Sequence, residues 1–217
     1  MKNVLIVGAS GMIGNIVLQE CLKSLEIGSI TSIVRRNSEV AHPKLKEVVH
    51  EDFMNYAAIQ ELFKDIDAAF FCIGVYTGAV PDEIFRKITV DYTVAFANIL
   101  KAESPEATLC FLSGAGADLS EKSRTSFARY KGMAENYLLQ SGLNFYSFRP
   151  AYIYPVEKRK EPNVMYRISR RLYPLIRMFG KNASIKSTEL GQAMFKAGMT
   201  GAPSNFLENK DILELLN

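Results

Sequence analysis

Short apolar runs recur along roughly the first 150 residues of the chain and alternate with stretches of mixed polarity. Six runs have the length and the β-branched or aromatic content of buried strands, and they are Val4–Val7, Ile30–Val34, Leu45–Val49, Ala68–Ile73, Ala107–Leu112 and Phe145–Phe148. Apolar residues recur at helical spacing between most of them, over Gly11–Leu25, Tyr56–Phe63, Asp82–Ala102 and Phe127–Leu139. Because strands and helices alternate, the pattern predicts a doubly wound α/β fold, a parallel sheet covered on both faces.

The pattern changes after Pro150 and predicts a small C-terminal lobe. A stretch that prolines interrupt runs over residues 151–179, and a shorter helical pattern follows at about Thr188–Met199. No repeat or linker-like composition separates this part from the rest. We therefore expect residues 1–217 to form one domain, in which residues 151–217 contribute a substrate or lid lobe at the carboxyl edge of the sheet.

Composition excludes several classes of protein. A net charge of +3 with 23% charged residues indicates neither a nucleic-acid nor a membrane partner. The three cysteines, Cys21, Cys72 and Cys110, are widely spaced and do not predict a disulfide framework. His42 and His50 lack metal-ligand spacing, so no metal site is expected. Without a leader or a run long enough to span a membrane, the chain is expected to be cytoplasmic.

A glycine-rich loop follows the first strand and opens the first helix, with the spacing Gly-x-x-Gly-x-x-Gly. Gly8 permits a tight turn, Gly11 lets a backbone approach a pyrophosphate, and Gly14 lets the helix pack closely on the sheet. A β–α turn without a ligand is the alternative, but the strand before and the helix after favour a dinucleotide on the helix N-terminus. The residues predicted to contact it are Gly8, Ser10, Gly11, Met12, Ile13 and Gly14.

Two arginines, Arg35 and Arg36, close the second strand about 20 residues beyond the glycine loop. An NAD site places an acidic residue there to bind the ribose hydroxyls. A guanidinium instead binds a 2′-phosphate through two parallel hydrogen bonds, and one arginine suffices if the other is solvated. The pair therefore predicts NADP(H) as the cofactor.

These features resemble the atypical branch of the short-chain dehydrogenase/reductase superfamily, and within it the NmrA-like and Tat-interacting-protein group. The resemblance covers about residues 1–155 and implies a Rossmann fold that binds NAD(P). It rests on the glycine loop, on residues 90–102, on Phe111–Asp118, and on Lys131 with Gly132 and Glu135 leading to Phe148–Pro150.

The resemblance implies three further cofactor contacts. Asp52 and Phe53 stand where relatives bind the adenine amino group, although Asp52 is equally suited to cap a helix. Ile73 and Gly74 stand where the backbone passes beneath the adenosine ribose, or where a plain turn follows the strand. Pro150 stands where relatives contact the nicotinamide, and it is also a natural strand terminator.

The catalytic positions of the family are only partly kept. By resemblance, Ser113 polarises a substrate carbonyl, and Lys131 binds the nicotinamide ribose or is a solvated helix charge. The position next to Ser113, often a second serine in relatives, is Gly114. Phe127 stands where relatives have the proton-donating tyrosine. Standard tyrosine-dependent carbonyl reduction is therefore expected to be absent or very slow.

Two functions of different class follow. The first is an NADP(H)-dependent oxidoreductase acting on a small carbonyl or quinone-like substrate, and the second is a weakly active or inactive NADP(H) sensor that binds a regulatory protein partner. The sequence indicates no particular substrate or oligomeric state.

Residues 158–186 carry nine lysines or arginines against one acid. This basic stretch has three interpretations, a solvated lid, an anionic pocket and a membrane- or partner-binding helix. The lid is favoured.

Overall fold

The structure is a computed structural model that describes residues 1–38, 40–76, 78–157, 173, 180 and 182–217. The six predicted strands are all present. The strands in these ranges are β1 (Lys2–Val7), β2 (Ile27–Val34), β3 (Leu45–Val49), β4 (Ala68–Phe71), β5 (Thr108–Leu112), β6 (Asn144–Arg149), β7 (Tyr152–Tyr154), β8 (Ser184–Lys186) and β9 (Phe206–Glu208).

The predicted helices are present as well, with two departures from α-helical geometry. Residues Ala57–Phe63 form a 3₁₀-helix, and a π-helical turn at Lys87–Asp91 interrupts the long helix after β4. The hydroxyl of Thr93, just after that turn, donates to the Thr89 carbonyl within it at 2.9 Å. The α-helices are α1 (Met12–Lys23), α2 (Asp82–Arg86), α3 (Tyr92–Glu103), α4 (Ser126–Gln140), α5 (Ser187–Thr200) and α6 (Asn209–Glu214).

Seven strands form one parallel sheet in the order β3-β2-β1-β4-β5-β6-β9. The chain winds outward from β1 in one direction as far as β3, and then in the other direction from β4. The crevice between β1 and β4 is therefore the switch point of the fold, where ligands of such sheets bind beyond the carboxyl ends of the strands. The doubly wound Rossmann fold expected from the sequence is confirmed.

Two apolar clusters, one on each face of the sheet, hold the helices in place. Alternate residues of β1 point to opposite faces, so Val4 and Ile6 join the cluster beneath α1 and α5. Leu5 and Val7 join the cluster that contains Phe96 of α3 and also residues of α4. Because the side chains of β1 are buried on both faces, the strand is a continuous apolar run, which made it recognisable in the sequence.

The described residues near the C-terminus join the main fold. Strand β9 pairs with β6 at the edge of the sheet, whereas β7 and β8 form a separate two-stranded parallel sheet. Helix α5 packs on α1 so closely that a Cβ on Gly191 would overlap the side chain of Ile16. None of the described helices is long and apolar enough to cross a membrane.

Candidate functional site

A cleft of about 390 Å³ opens at the carboxyl ends of β1, β4, β5 and β6. It brings together predicted residues from distant parts of the chain, namely Gly11, Met12, Ile13, Ile73, Gly74, Ser113, Phe127, Lys131 and Pro150. The other lining residues are Cys72, Val75, Tyr76, Thr89, Leu112, Gly114, Ala151, Tyr152, Ile153 and Pro155. The cleft therefore lies where the topology of the sheet places a ligand.

The glycine loop has the tight geometry that its sequence predicts. Gly8 adopts φ +87°, a conformation that favours glycine, and its carbonyl accepts the Gly11 amide at 2.9 Å. A Cβ on Gly14 would overlap the Gly8 carbonyl group, with only 2.8 Å to its carbon atom. Two of the three glycines are thus required by the backbone itself, before any ligand is considered.

The N-terminus of α1 opens onto the cleft at Gly11, Met12 and Ile13. Among the described residues no side-chain hydrogen bond caps this end of the helix at Gly11, and the first turn contains no acidic residue. A helix N-terminus carries amides without intrahelical acceptors and a partial positive charge. This end of α1 therefore suits a pyrophosphate group.

Residues at the ends of β2 and β3 lie outside the lining of the cleft. Arg35 and Arg36 follow β2 directly, and both are exposed. The Asp52 carboxylate accepts the Met54 amide at 3.0 Å, so one of its oxygens already stabilises a local turn. The Phe53 ring is buried in the core, so its side chain is not available to a ligand.

The segment after β4 offers open space. A Cβ added to Gly74 would meet no atom of the described residues within 4 Å, although Gly74 lines the cleft. Crowding therefore does not explain the glycine, and a ligand passing close to its backbone would. Pro150, on the opposite side, is buried, and its carbonyl accepts the Ala115 amide at 2.9 Å.

Ser113 supplies a buried hydroxyl to the cleft. Its residue surface is 8% exposed, and its Oγ has no hydrogen-bond partner among the described residues. The Ser113 amide donates to the Phe148 carbonyl at 2.9 Å, which fixes the backbone at the end of β5. Because a buried hydroxyl without a partner is costly, this Oγ is suited to a ligand that completes its bonding.

Lys131 is the buried cation of the cleft. Its Nζ donates to the Leu112 carbonyl at 2.8 Å and lies 4.8 Å from the centre of the Phe111 ring. Burial lowers the pKa of Lys131 to about 8, although Glu135 on the same helix acts in the opposite direction. The solvated-charge interpretation of Lys131 is therefore wrong, since its side chain is held against β5.

Glu135 does not neutralise Lys131 fully because Arg149 shares it. Arg149 donates to both Glu135 carboxylate oxygens, at 2.6 and 3.0 Å, and the Ser147 hydroxyl adds a bond at 2.6 Å. The hydrogen bonds that Arg149 donates to Glu135 and Glu208 raise the pKa of Arg149 above its ordinary value. This ion pair fastens α4 to β6 beneath the cleft.

Tyr130 is the tyrosine of α4 nearest in sequence to Lys131, and it belongs to another contact. It is absent from the cleft lining, and its hydroxyl donates to the Asp82 carboxylate at 2.6 Å. Hydrogen bonds from Ser126 and Tyr130 lower the pKa of Asp82. Tyr130 therefore ties α4 to α2 and does not replace a tyrosine at position 127.

Two lining residues, Thr89 and Cys72, could not be inferred from motifs. Thr89 reaches the cleft from the π-helical turn, which apolar spacing does not reveal. Cys72 follows β4, and burial raises the pKa of its thiol to about 12, so that it remains protonated. Tyr152 of β7 lines the cleft, whereas Tyr154 stacks on the Tyr173 ring at 3.8 Å. Most of the basic stretch 158–186 lies outside the described residues, and its predicted role stays a prediction.

Comparison with known protein families agrees with this geometry. The model of the NAD(P)H-binding family matches residues 8–184, which include the glycine loop and the whole cleft. The chain belongs to this family. The N-terminus of α1, Gly74 and Ser113 all lie within the matched residues.

Relatives of this NAD(P)H-binding protein support the predicted grouping. It is 29% identical to protein HTATIP2 of Rattus norvegicus over 136 residues, which are 62% of this chain and 55% of that protein. The chain thus spans about half the length of the curated relative it matches. The resemblance to the NmrA-like and Tat-interacting-protein group is confirmed.

Solved structures share the fold at low sequence identity. A thiolation-reductase di-domain from an archaeal non-ribosomal peptide synthetase matches with a TM-score of 0.74 and 15% identity, over 95% of this chain and 55% of that one. The Bordetella bronchiseptica enzyme WbmH, solved in complex with NAD⁺, matches with a TM-score of 0.71 and 19% identity, over 95% and 74%. At these identities the comparison establishes the fold alone.

Proposed function

We propose that this protein is an NADP(H)-dependent oxidoreductase that acts on a small carbonyl or quinone-like substrate. The observation that carries the proposal is the Ser113 hydroxyl, which is buried without a partner in the same cleft as the Lys131 ammonium and the open end of α1. A hydroxyl donor and a cation facing one cavity suit the stabilisation of a developing oxyanion.

The cofactor is held by residues at the carboxyl ends of the strands. The N-terminus of α1 binds the pyrophosphate, Asp52 and the Phe53 backbone lie towards the adenine, and Gly74 leaves room for the adenosine ribose. Lys131 and the Pro150 backbone hold the nicotinamide half. When bound, the reduced nicotinamide supplies a hydride, and the residues of this chain orient the acceptor and supply its proton.

NADP(H) is the proposed form because of the charges that follow β2. Arg35 and Arg36 are both exposed and stand at the end of the strand where an acidic residue would favour NAD(H). A charge-assisted bidentate contact to the 2′-phosphate contributes about 1.5 to 3 kcal/mol. This corresponds to a preference of about tenfold or more for the phosphorylated cofactor.

The substrate lies between the nicotinamide and the far wall of the cleft. Tyr76, Tyr152 and Pro155 supply apolar and aromatic surface there. Ser113 donates a hydrogen bond to the substrate oxygen. We propose that the sheet of β7 and β8 belongs to the C-terminal substrate lobe, since β7 carries Tyr152 on this wall.

A sensor function is the second candidate, and Phe127 favours it. Without the tyrosine of its relatives, the cleft binds the cofactor with less acid chemistry available to consume it. Such a protein would report the NADP(H) state to a protein partner through a surface outside the cleft.

One experiment separates the two functions. Binding of NADPH, NADP⁺, NADH and NAD⁺ is measured by titration, followed by NADPH consumption against a set of aldehydes, ketones and quinones. Consumption that Ser113→Ala abolishes, while NADPH affinity stays within about threefold, identifies the oxidoreductase. Ser120→Ala is the matched control, because that hydroxyl bonds to Asp118 outside the cleft. Tight NADPH binding without consumption identifies the sensor, and the absence of NADPH binding contradicts both.

A further inference from the structure

Reduction of a carbonyl requires a proton as well as a hydride, and the Phe127 side chain has no proton to give. Another side chain of the cleft must therefore supply the proton. Its identification rests on the oxidoreductase function proposed above. The lining residues that carry a side-chain O–H, N–H or S–H group are Cys72, Tyr76, Thr89, Ser113, Lys131 and Tyr152.

The positions of these groups favour Lys131 and Ser113. The Lys131 Nζ donates to the carbonyl of Leu112, and Ser113 is the next residue along the chain. The ammonium and the Ser113 residue therefore both lie at the end of β5. A lysine ammonium has three donors, of which Leu112 takes one. The ribose of the cofactor accounts for a second, and one N–H remains.

We infer that the remaining N–H of Lys131 is the proton donor to the substrate oxygen, while the Ser113 hydroxyl donates a hydrogen bond to that same oxygen. The carbonyl carbon gains the hydride, and the π-electron pair of the C=O bond moves to the oxygen. The oxygen takes a proton from Lys131 Nζ and becomes a hydroxyl. The amine is left neutral and regains a proton from solvent.

The electrostatics of the site suit this role. Burial brings the pKa of Lys131 to about 8, close to the range in which a general acid works best. Glu135 faces it from its own helix and is held by Arg149 of β6, and Cys72 faces it from the end of β4. On the π-helical turn, Lys87 is exposed and Asp91 pairs with Arg86 at 3.1 Å.

The other candidates fit less well. Cys72 keeps its proton because burial raises its pKa to about 12. Ser113 is itself placed on the oxygen and needs a source of protons behind it. Tyr76 and Tyr152 enter the cleft from the segment after β4 and from β7, not from the end of β5, and are tested directly below.

Lys131→Arg separates acid chemistry from cofactor binding, because a guanidinium keeps its charge and its donors but does not give up a proton readily. Two substrates are compared. Reduction of 4-nitrobenzaldehyde gives a strongly basic alkoxide, which needs a proton donor. Reduction of menadione gives a phenolate, whose conjugate acid has a pKa near 10, like that of tyrosine, and which needs a donor less. With Lys131→Arg, we expect aldehyde turnover to fall by about 10²- to 10⁴-fold. Menadione turnover should fall by less than about tenfold, and NADPH affinity should stay within about threefold. Tyr130→Phe is the control on the same helix.

The wild-type pH profile gives an independent readout. kcat/KM for the aldehyde should decline above pH about 8, the pKa of Lys131, and this limb should vanish in Lys131→Arg. A limb that persists in Lys131→Arg, or that Tyr76→Phe or Tyr152→Phe removes instead, overturns the inference.

A titration of the Lys131 Nζ by NMR in the NADPH-bound protein requires no turnover and remains informative if Lys131→Arg folds poorly. A pKa within about one unit of 8 supports the inference, and a value of about 10 or above, that of an ordinary lysine, overturns it. If NADPH binds but neither compound is reduced, the oxidoreductase function fails on its own account. The inference for Lys131 rests on that function and falls with it, whereas aldehyde reduction that Lys131→Arg leaves unchanged overturns the inference alone.

Discussion

The tip of the Phe127 ring points at Gly114. A Cβ on Gly114 would overlap Cζ of Phe127, while Cε1 and Cε2 stand farther away at 3.2 and 3.4 Å. Relatives often have a serine at position 114 and have a tyrosine at position 127. The two replacements found here, Gly114 and Phe127, pack against each other and are therefore sterically linked. The phenylalanine occupies the space that a side chain at 114 would need.

We predict that Phe127→Tyr alone gives little or no gain in carbonyl reduction, although the sequence by itself suggests a gain. A hydroxyl on Cζ would extend towards the Gly114 backbone, so the ring must tilt to accommodate it. The measurement is NADPH-dependent turnover of 4-nitrobenzaldehyde. A rise of about 100-fold or more in the single variant would show that the ring moves freely.

The same contact predicts strong coupling between the two positions. Gly114→Ala should lower the free energy of unfolding by about 1 to 3 kcal/mol through overpacking, and Phe127→Ala should relieve most of that cost. A double-mutant cycle in urea should give a coupling of about 0.5 to 3 kcal/mol. Additive effects would mean that the alanine methyl group is accommodated elsewhere.

Cofactor preference should depend on the charges after β2. Arg35→Ala combined with Arg36→Ala should remove an NADPH preference of about tenfold or more and leave NADH affinity within about threefold. Isothermal titration calorimetry with both cofactors measures this. Arg124→Ala controls for the loss of positive charge, since Arg124 is exposed and outside the cleft lining. Equal affinities in the unmodified protein would contradict the assignment.

Two glycines of the site should respond differently to alanine. Gly14→Ala forces a Cβ into the Gly8 carbonyl and should destabilise the fold by at least about 1 to 3 kcal/mol. Gly74→Ala meets open space and should leave the unfolding free energy within about 1 kcal/mol. Because the ribose is proposed to pass there, Gly74→Ala should still weaken NADPH binding by about tenfold or more. Unchanged NADPH affinity in this variant would place the ribose elsewhere.

The buried charge of Lys131 should destabilise the fold below pH 8. Its pKa is about 8 when folded and 10.5 ordinarily, so the unfolded chain binds more protons between these values and stability rises with pH there. Below pH 8 the full penalty is present, about 3 to 4 kcal/mol before the lost hydrogen bond is counted. Lys131→Met should therefore be the more stable protein by about 1 to 2 kcal/mol at pH 7, and the difference should shrink towards pH 10.5.

Urea unfolding of the apo protein at several pH values measures this effect. Lys101→Met is the control, because Lys101 Nζ also donates to a carbonyl, that of Gly142 at 2.8 Å, but in an exposed position. A Lys131→Met protein that is less stable than the wild type at pH 7 would show that the hydrogen bond outweighs the burial of charge.

The elements that could be predicted from the sequence are those with a long and contiguous residue pattern. β1 and β4 are continuous apolar runs because they are buried on both faces, and the spacing of the glycines predicts the turn after β1. β7, β8 and β9 have three residues each, too few for a period to be visible. The π-helical turn that brings Thr89 to the cleft breaks the spacing that identifies helices.

The candidate site could be predicted where a residue's role depends on its neighbours in the chain. Ser113 and Lys131 were placed by motif, and both line the cleft. The sequence did not show that the Phe53 ring is buried in the core, nor that Phe127 covers Gly114. Both depend on contacts between elements far apart in the chain, and a single sequence does not encode them in any local spacing.

The close packing of α5 on α1 ties the two halves of the cleft together mechanically. With Gly191 against Ile16, the helix that carries the glycine loop has little freedom to slide over α5. Strand β8 runs directly into α5 and pairs with β7, which supplies Tyr152 to the far wall. A shift of α1 as a dinucleotide docks would therefore be passed through α5 and β8 to that wall. The substrate side of the cleft is thus braced from behind by the helix that is proposed to receive the phosphates.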